Sequence, residues 1–495
     1  MEIVMSEVWL ILPVFLPVLL GLTFPYLKCL KNRQQRIGYV GASLVVCGVL
    51  SLVVICSFGQ ETSFTLWRMT DALTIMFRID GMSKLFAVLT TFVWVIVGFY
   101  AFGYMKHEEE EERFYRYYLI VYGVLLGLDF SANLISMYLF YEMMTLSSLP
   151  LVLHSRTKES VMAGLKYLFY SIAGAFLSLL AIFFFYQYGT TMEFVSGGVL
   201  DMAKVAGNES VLLLVTFLAI VGFGCKAGMF PLHAWLPTAH PVAPSPASAV
   251  LSGIITKAGV LAIIRVVFYI TGADFIRGTW VQYAWIGLSL FTVFMGSMLA
   301  YLEPVLKKRL AYSSVSQVSY VLFGLSVLHP VGILGALLHV VFHSLIKNTL
   351  FLTAGSIIEQ TGCTRVDELT GIGKKMPGTI WCFTLAGLAL VGVPPLSGFI
   401  SKWYLATGAL NAELGFLGWL GPVILLISAL LTAGYLFPIT MKGFLPGNTE
   451  VLYERCEAPK IMLVPTVLLT AGAVLFGIFA SPLTEVLEKL IATFI

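Results

Sequence analysis

The sequence predicts an all-α polytopic membrane protein with about fourteen transmembrane helices, and three observations carry that reading. Of its 495 residues, 58% are hydrophobic and only 12% charged, where a soluble domain carries about 25% charged residues. Mean hydropathy is +0.90. Apolar windows of the roughly 20 residues needed to cross a hydrocarbon core recur along the whole chain.

The windows fall near 7–27, 36–58, 81–103, 114–132, 133–153, 160–188, 209–230, 244–270, 280–301, 309–329, 332–358, 378–409, 419–441 and 459–481. The first follows Glu2 and Glu7 without a basic region or a small-residue cleavage site, so it reads as a retained helix. Residues 60–80 hold enough β-branched and aromatic side chains for a short external hairpin. The acidic run Glu108 to Glu112 reads as a solvated cytoplasmic helix face. No Ser- or Gly-rich linker separates soluble parts, so residues 1–495 are expected to form a single membrane domain.

The seventh window is irregular. Its apolar run 211–225 reaches only about 22 Å, short of a core about 30 Å thick, and Lys226 then leads into Pro231-Leu-His-Ala-Trp-Leu-Pro237. Two prolines break the hydrogen-bond ladder there and free backbone groups that need polar surroundings. The twelfth window repeats the pattern, with Pro394-Pro395-Leu-Ser-Gly398 interrupting the run before Lys402. An odd offset of five helices reverses membrane direction, which predicts two inverted five-helix repeats. The division is then 1–103 for helices 1–3, 104–270 for helices 4–8, 280–441 for helices 9–13 and 459–495 for helix 14. Windows six and eleven, also five apart, share a lysine followed by Ala-Gly at the same spacing, Lys166 with Ala173-Gly174 and Lys347 with Ala354-Gly355.

Lys and Arg set orientation through the short loops. One set of loops carries eighteen of the thirty, among them Lys28, Arg33, Lys106, Lys307, Lys308, Arg365 and Lys374. The other carries Arg68, Arg78, Lys84, Lys204, Arg277 and Lys489. Both termini are therefore expected outside, in agreement with an even helix count.

A charge at the centre of a bilayer helix costs about 2.5–3.5 kcal/mol on insertion scales, so a series of them points to a pathway. Glu142 lies mid-way along the fifth window with no basic residue in its own segment, and Lys226, beside the first break, is its expected partner. Lysine can load and release a proton, which arginine cannot. Lys257 lies far from either end of the eighth window, whereas Arg265 in the same window is expected to snorkel to the outer interface. His339, His343 and Lys347 are spaced four apart and share one helix face. Two histidines so spaced can hold a metal, yet no carboxylate or cysteine completes a site, and a hydrated proton wire is the better reading. Lys402 is expected to be the terminal, outward-facing proton site, corresponding to the Lys226 region. Lys166 is either a relay input or an interface anchor. His233, Ser313, Ser314, Ser316 and Gln317 are either water-supporting groups or packing residues.

Seven cysteines (29, 47, 56, 225, 363, 382 and 456) form no C-x-x-C pair, so neither cluster nor zinc is assigned. GFGCKAG (222–228) opens no soluble βαβ unit and GIGKK (371–375) is no phosphate loop. No cofactor, nucleotide, catalytic nucleophile or nucleic-acid partner is indicated, and the +3 net charge follows from topology.

These residues resemble the antiporter-like subunit family: the proton-pumping membrane subunits of respiratory complex I, of Mrp-type cation/proton antiporters and of membrane-bound hydrogenases. The matching motifs are DGMS (80–83), FYEMMTLSSLPL around Glu142, KAGMFPLHAWLP (226–237), AHPVAPSPASAVLSGIITKAG (239–259), KRLAYSSVSQ (308–317), HVVFHSLIKNTLF (339–351) and VGVPPLSGFISKW (391–403). The resemblance implies fourteen helices with two inverted repeats, and a lateral chain of proton sites at Glu142, Lys226, Lys257 and Lys402. It also implies partners among the membrane subunits of such a complex, in the cell (inner) membrane, with protons or Na⁺ as cargo. Many relatives carry an acid where Val242 stands in AHPVAP, and the chain is expected to lack the long lateral helix of the largest members. Lysine at 402 looks more like the D-type component of Mrp antiporters, hydrogenase-linked relatives, or the complex I subunit with the same ending. A self-sufficient transporter for Na⁺ or a solute is the competing reading. Against it, the charges form a string across helices and no two acids lie together. A plain membrane scaffold would leave the costly lysines unexplained.

Overall fold

The computed structural model describes residues 7–27, 30–58, 62–70, 73–445 and 454–495; Glu2, Lys28 and Cys29 lie outside the described residues. Seventeen helices matter here, named in chain order. They are α1 (Leu12–Thr23), α2 (Arg33–Ser57), α3 (Gly81–Tyr104), α4 (Glu111–Asp129), α5 (Leu134–Val152), α6 (Lys158–Tyr188), α7 (Glu209–Ala227) and α8 (Leu236–Val242), then α9 (Ser245–Thr271), α10 (Trp280–Leu302), α11 (Leu306–Ser326) and α12 (Pro330–Thr361). The chain ends in α13 (Pro377–Val391), α14 (Ser397–Asn411), α15 (Phe416–Phe444), α16 (Lys460–Ile478) and α17 (Ser481–Ile491).

Among the described residues, eleven helices are long and apolar enough to cross a membrane, so the protein is a multi-pass membrane protein. Three of the sequence windows fall outside that set: α4 and α11, which are more polar, and the divided pair α13 and α14. Between α2 and α3 the expected hairpin forms from β1 (Ser63–Arg68) and β2 (Thr74–Arg78), antiparallel with a bulge between Thr65 and Trp67. Asn133, the N-cap of α5, fastens it by donating from Nδ2 to Thr74 O at 2.9 Å.

Both broken helices end alike. The α7 helix closes on Gly228 at φ 76°, with its N–H on Cys225 O at 3.1 Å and Met229 N–H on Gly224 O at 2.9 Å. The α13 helix closes on Gly392 at φ 92°, with its N–H on Ala389 O at 3.1 Å and Val393 N–H on Leu388 O at 3.1 Å. Each is a full Schellman motif, whose left-handed residue favours glycine, and the prolines beyond prevent continuation. After these breaks α8 and α14 resume.

The centre of the molecule is α9 beside α12. The most apolar window of α9 is 100% buried and that of α12 89%, against 28% for α15 at the periphery. A helix buried all round needs no polar face, yet these two carry Lys257, His339, His343 and Lys347, all within the core. Two π turns, Leu251–Ile255 and Arg265–Thr271, interrupt the regular ladder of α9. Such turns often mark functional sites.

Arg265 does not snorkel to the interface. Its guanidinium is buried and donates to both carboxylate oxygens of Asp80, at 2.6 and 2.8 Å, and to Ser83 Oγ at 3.1 Å. It lies 4.8 Å from the ring centres of both Phe194 and Tyr269. The reason is that Asp80 already caps α3 through Ser83 N–H, which fixes a carboxylate where the arginine can reach it without water. The sequence windows also stop short of α17, an amphipathic terminal helix with Leu483, Leu487 and Leu490 turned inward and Glu485, Glu488 and Lys489 exposed.

Breaking a buried pair by removing one partner leaves an uncompensated charge, typically at a cost of about 3–5 kcal/mol. Arg265→Ala is expected to lower thermal stability in mild detergent accordingly, and Asp80→Ala/Arg265→Ala to cost less than the sum of the single changes. Additive losses in unfolding scans would show that the two do not act as a pair.

Candidate functional site

Lys226 occupies the last turn of α7 and is fully buried. Its ammonium donates to Tyr167 Oη at 2.7 Å and Ser171 Oγ at 2.9 Å, two residues one turn apart on α6. It also lies 4.1 Å from the Tyr167 ring centre and 5.8 Å from that of Trp235. Tyr167 Oη in turn shares a 2.7 Å hydrogen bond with Ser148 Oγ on α5.

Glu142 is therefore not the bonded partner of Lys226. No ion pair within 4.0 Å joins them among the described residues, and Glu142 Oε1 is buried without a hydrogen-bond partner. Helix rotation decides this: the lysine points into the hydroxyl-lined face of α6, while Glu142 sits on a half-exposed side of α5. The two charges still interact electrostatically at longer range.

Gly259 brings α9 onto the same last turn of α7. A side chain there would meet Phe223 O at 2.7 Å, Ala227 N at 2.8 Å and Lys226 Cβ at 3.0 Å. Two residues earlier, the Lys257 ammonium donates to Ser252 O at 2.8 Å, a carbonyl within the first π turn, and stands 2.6 Å from His343 Nδ1. His343 and His339 stack with ring centres 5.7 Å apart. His339 Nδ1 is 2.9 Å from Ser401 Oγ, and its ring stacks on Tyr320 at 5.6 Å. The Lys402 ammonium lies 5.1 Å from that same Tyr320 ring centre.

Lys402 departs from the expected correspondence with Lys226. Lys226 precedes its break, whereas Lys402 follows its own, on α14, and reaches back to donate to Leu390 O at 2.6 Å and Val391 O at 2.9 Å. Those are C-terminal carbonyls of α13, which lack helical partners and sit at the negative end of its dipole. The Lys402 ammonium thus meets a half-helix end, whereas the Lys226 ammonium turns away from its own to the hydroxyls of α6.

Lys347 forms a branch. It donates to Leu310 O at 2.9 Å and to Ser313 Oγ, and Ser314 Oγ donates to the same carbonyl at 3.0 Å while sharing a 2.7 Å bond with Ser252 Oγ. Lys347 and Lys257 are so connected through Ser314 and Ser252. Gln317 lies in the same region of α11 with both amide atoms buried and unpartnered, as are Ser344 Oγ, Asn348 Oδ1 and the Nε2 atoms of His339 and His343. Buried polar atoms of this kind are normally satisfied by ordered water.

The remaining candidates stand apart. Lys166 and His233 are half-buried neighbours outside the string. Ser316 bonds Ser297 Oγ at 2.8 Å and Val293 O at 2.9 Å, which is helix packing. Sequence reading missed Tyr167, Ser171, Ser148, Ser252, Tyr320 and Ser401, all uncharged. It also missed His240, fully buried with both ring nitrogens unpartnered and stacked on Phe351 at 4.7 Å, and Asp129, whose carboxylate accepts from Thr90 Oγ1 at 3.0 Å. A charged or titratable residue in the interior of an apolar stretch was the available signal for Asp129, which its place at the end of α4 concealed.

A cavity of about 190 Å³ lies beside the α8–α9 turn, lined among others by Glu108, Val242 and Lys307. Lys307 Nζ donates to Ala243 O at 2.5 Å. Burial raises the Glu108 carboxyl above the usual carboxylate range, and the Lys307 charge partly offsets this. Glu108 thus brings a carboxyl from the loop after α3 to the cavity that Val242 lines.

Residues 131–432 match the family described as NADH:quinone oxidoreductase/Mrp antiporter, TM, and residues 67–115 that described as NADH-Ubiquinone oxidoreductase (complex I), chain 5 N-terminus. The N component of the NADH-quinone oxidoreductase of Desulforudis audaxviator is 31% identical over 486 residues, covering 95% of this chain and 95% of that protein. The D component of the Na(+)/H(+) antiporter of Bacillus subtilis is 28% identical over 475 residues, covering 95% and 94%. A chain of the membrane-bound sulfane sulfur reductase, an archaeal respiratory membrane complex, has the same fold, with TM-score 0.84 at 22% identity over 99% of this chain and 100% of that one.

The Gly259 contact makes a packing prediction. Overpacking costs about 1–3 kcal/mol, so Gly259→Val should lower thermal stability by at least that range, while Gly287→Ala, with nothing within 4 Å of its added Cβ, should not. Equal unfolding temperatures for Gly259→Val and the parent would refute the close approach.

Proposed function

The chain belongs to the NADH:quinone oxidoreductase/Mrp antiporter membrane family, and from that premise we propose that it is the proton-translocating membrane subunit of a multi-subunit ion-pumping complex in the cell (inner) membrane. Complexes of the Mrp cation/proton antiporter, complex I and membrane-bound hydrogenase or reductase kinds are the candidate settings, since relatives are named as subunits of these. The single observation that carries the reading is the string of buried Lys257, His343, His339 and Ser401/Tyr320 and half-buried Lys402, in which each member touches or stacks on the next across α9, α12, α11 and α14. A self-sufficient transporter needs one substrate cluster, and the charges here are distributed instead.

In this proposal Glu142 and Lys226 form the input, with Tyr167 and Ser171 holding the ammonium and Ser148 bonding the Tyr167 hydroxyl. Lys257 passes its proton to His343 Nδ1. An imidazole that accepts at one nitrogen releases at the other, and the unpartnered Nε2 atoms of His343 and His339 point the path onward through water. Lys402 is the terminal site, its ammonium held by the α13 carbonyls. Lys347 joins through Ser314 and Ser252, and Lys166, His233 and Gln317 are supporting groups. Fixed like charges repel within a low-dielectric interior, so protonation of one lysine favours release from the next.

The same proposal includes fourteen spanning helices, with α4 and α11 among them and α7/α8 and α13/α14 as broken spans. It also includes inverted repeats at 104–270 and 280–441, flanked by 1–103 and 459–495. The matching Schellman closures five spans apart support the repeats. The loop charges support a topology with both termini outside.

Lys402→Ala is expected to abolish proton uptake by reconstituted vesicles while the protein still assembles, because Lys402 is half-buried at a helix break rather than in the packed core; loss of the complex from the membrane would make it structural. Glu142→Gln and Lys226→Ala should each stop uptake, and the double variant should be no worse than either, since groups acting as a unit are not additive. A Glu142→Gln protein pumping at the parental rate would remove the acid from the mechanism. Single cysteines replacing Thr364 or Lys308 should resist an impermeant reagent added to intact cells, and labelling from outside would overturn the topology.

A further inference from the structure

A groove of about 780 Å³ opens between α3, α12 and α16 and is roofed by α17. Of its sixteen lining residues only Lys84, Lys489 and Thr493 carry polar side chains; the rest are apolar or glycine, with Val88, Phe92, Leu345 and Phe476 forming the walls. Lys84 lies in the first turn of α3 and Lys489 in the last turn of α17. Among the described residues neither has an acid within 4.0 Å. Glu485 and Glu488 do not line the groove.

An apolar trough carrying two unneutralised ammonium groups is complementary to an amphiphile with a negative head. The roof agrees, since an amphipathic helix with one charged face lies at the membrane interface, its apolar side against acyl chains. Lysine at such a surface attracts anionic lipid, and a phosphodiester offers oxygens enough for both ammonium donors. We propose that this groove is a binding site for an anionic glycerophospholipid, its acyl chains along Val88, Phe92, Leu345 and Phe476 and its phosphate between Lys84 and Lys489. The position gives the lipid a consequence. Val341 and Leu345 line the groove from α12, the helix that holds His339 and His343, so the bound chains brace that helix from behind.

The test is native mass spectrometry of the purified full chain, or of the complex that contains it, taken in mild detergent from vesicles of phosphatidylethanolamine with and without phosphatidylglycerol. The parent protein should retain phosphatidylglycerol in preference to phosphatidylethanolamine. Lys84→Ala/Lys489→Ala should retain roughly tenfold less or lower still, two surface lysines having been lost, and Lys84→Arg/Lys489→Arg should restore it. Leu345→Trp, which fills the trough without touching its charge, should also expel the lipid; thermal unfolding of each variant establishes that it is folded. Retention unchanged in both the double-alanine and the tryptophan variants, retention without preference between the two lipids, or a helix of another subunit seated in the groove would each overturn the proposal.

Discussion

Everything distinctive in this fold follows from the need to hold several ammonium groups inside a membrane protein without giving each a carboxylate. Bilayer hydrocarbon offers no water to a charge or to a free backbone group, so the protein must supply the oxygens. Lys226 receives a tyrosine and a serine, Lys257 a π-turn carbonyl and an imidazole, Lys347 a carbonyl and a serine, and Lys402 two carbonyls at a helix end. None of these partners is charged. A full ion pair such as Asp80–Arg265 fixes a structure; neutral dipoles around an amine leave its proton free to move.

The helix breaks are therefore part of the chemistry as well as of the architecture. An unbroken helix spends each carbonyl on the residue four positions along, and at its end, or where a turn widens, oxygens are left over. The Schellman closure at Gly392 leaves Leu390 O and Val391 O to Lys402, and the π turn at Leu251–Ile255 presents Ser252 O to Lys257. Glycine at 392 is needed for the left-handed turn, glycine at 259 for the approach of α9 to α7. Remove the turn at Gly392 and the Lys402 ammonium loses its carbonyl partners.

What could be read from the sequence divides along the same line. The apolar windows, both breaks, the hairpin and the buried Lys226, Lys257, His339, His343 and Lys347 were visible, because apolar length, proline and misplaced charge are local signals, whereas the buried His240 was not. The direction in which a side chain points is not local. Glu142 and Lys226 looked like partners on charge alone, yet the rotation of α7 gives the lysine to Tyr167, and Arg265 looked like an interface anchor until Asp80 was seen to come from the cap of another helix. Neutral hydroxyls such as Ser252 and Ser401 are invisible among ordinary packing serines until a neighbour one helix away turns them into ligands. The amphipathic α17 escaped because a search for spanning segments passes over a helix that lies along the surface.

One asymmetry gives the proposed relay a direction. The string from Lys257 to Lys402 contains bases and hydroxyls only, whereas the Lys226 end has Glu142 within electrostatic range but out of contact. A carboxylate that is not bonded to its lysine can change its distance or its protonation without first breaking a hydrogen bond, and the lysine it influences lies directly behind Gly259 and α9. In the proposed relay a change of charge at Glu142 alters Lys226, and the close approach of α9 at Gly259 sets Lys226 against the helix that carries Lys257. The end that holds the acid is the proposed input, and the end capped by the α13 carbonyls is the proposed terminal site.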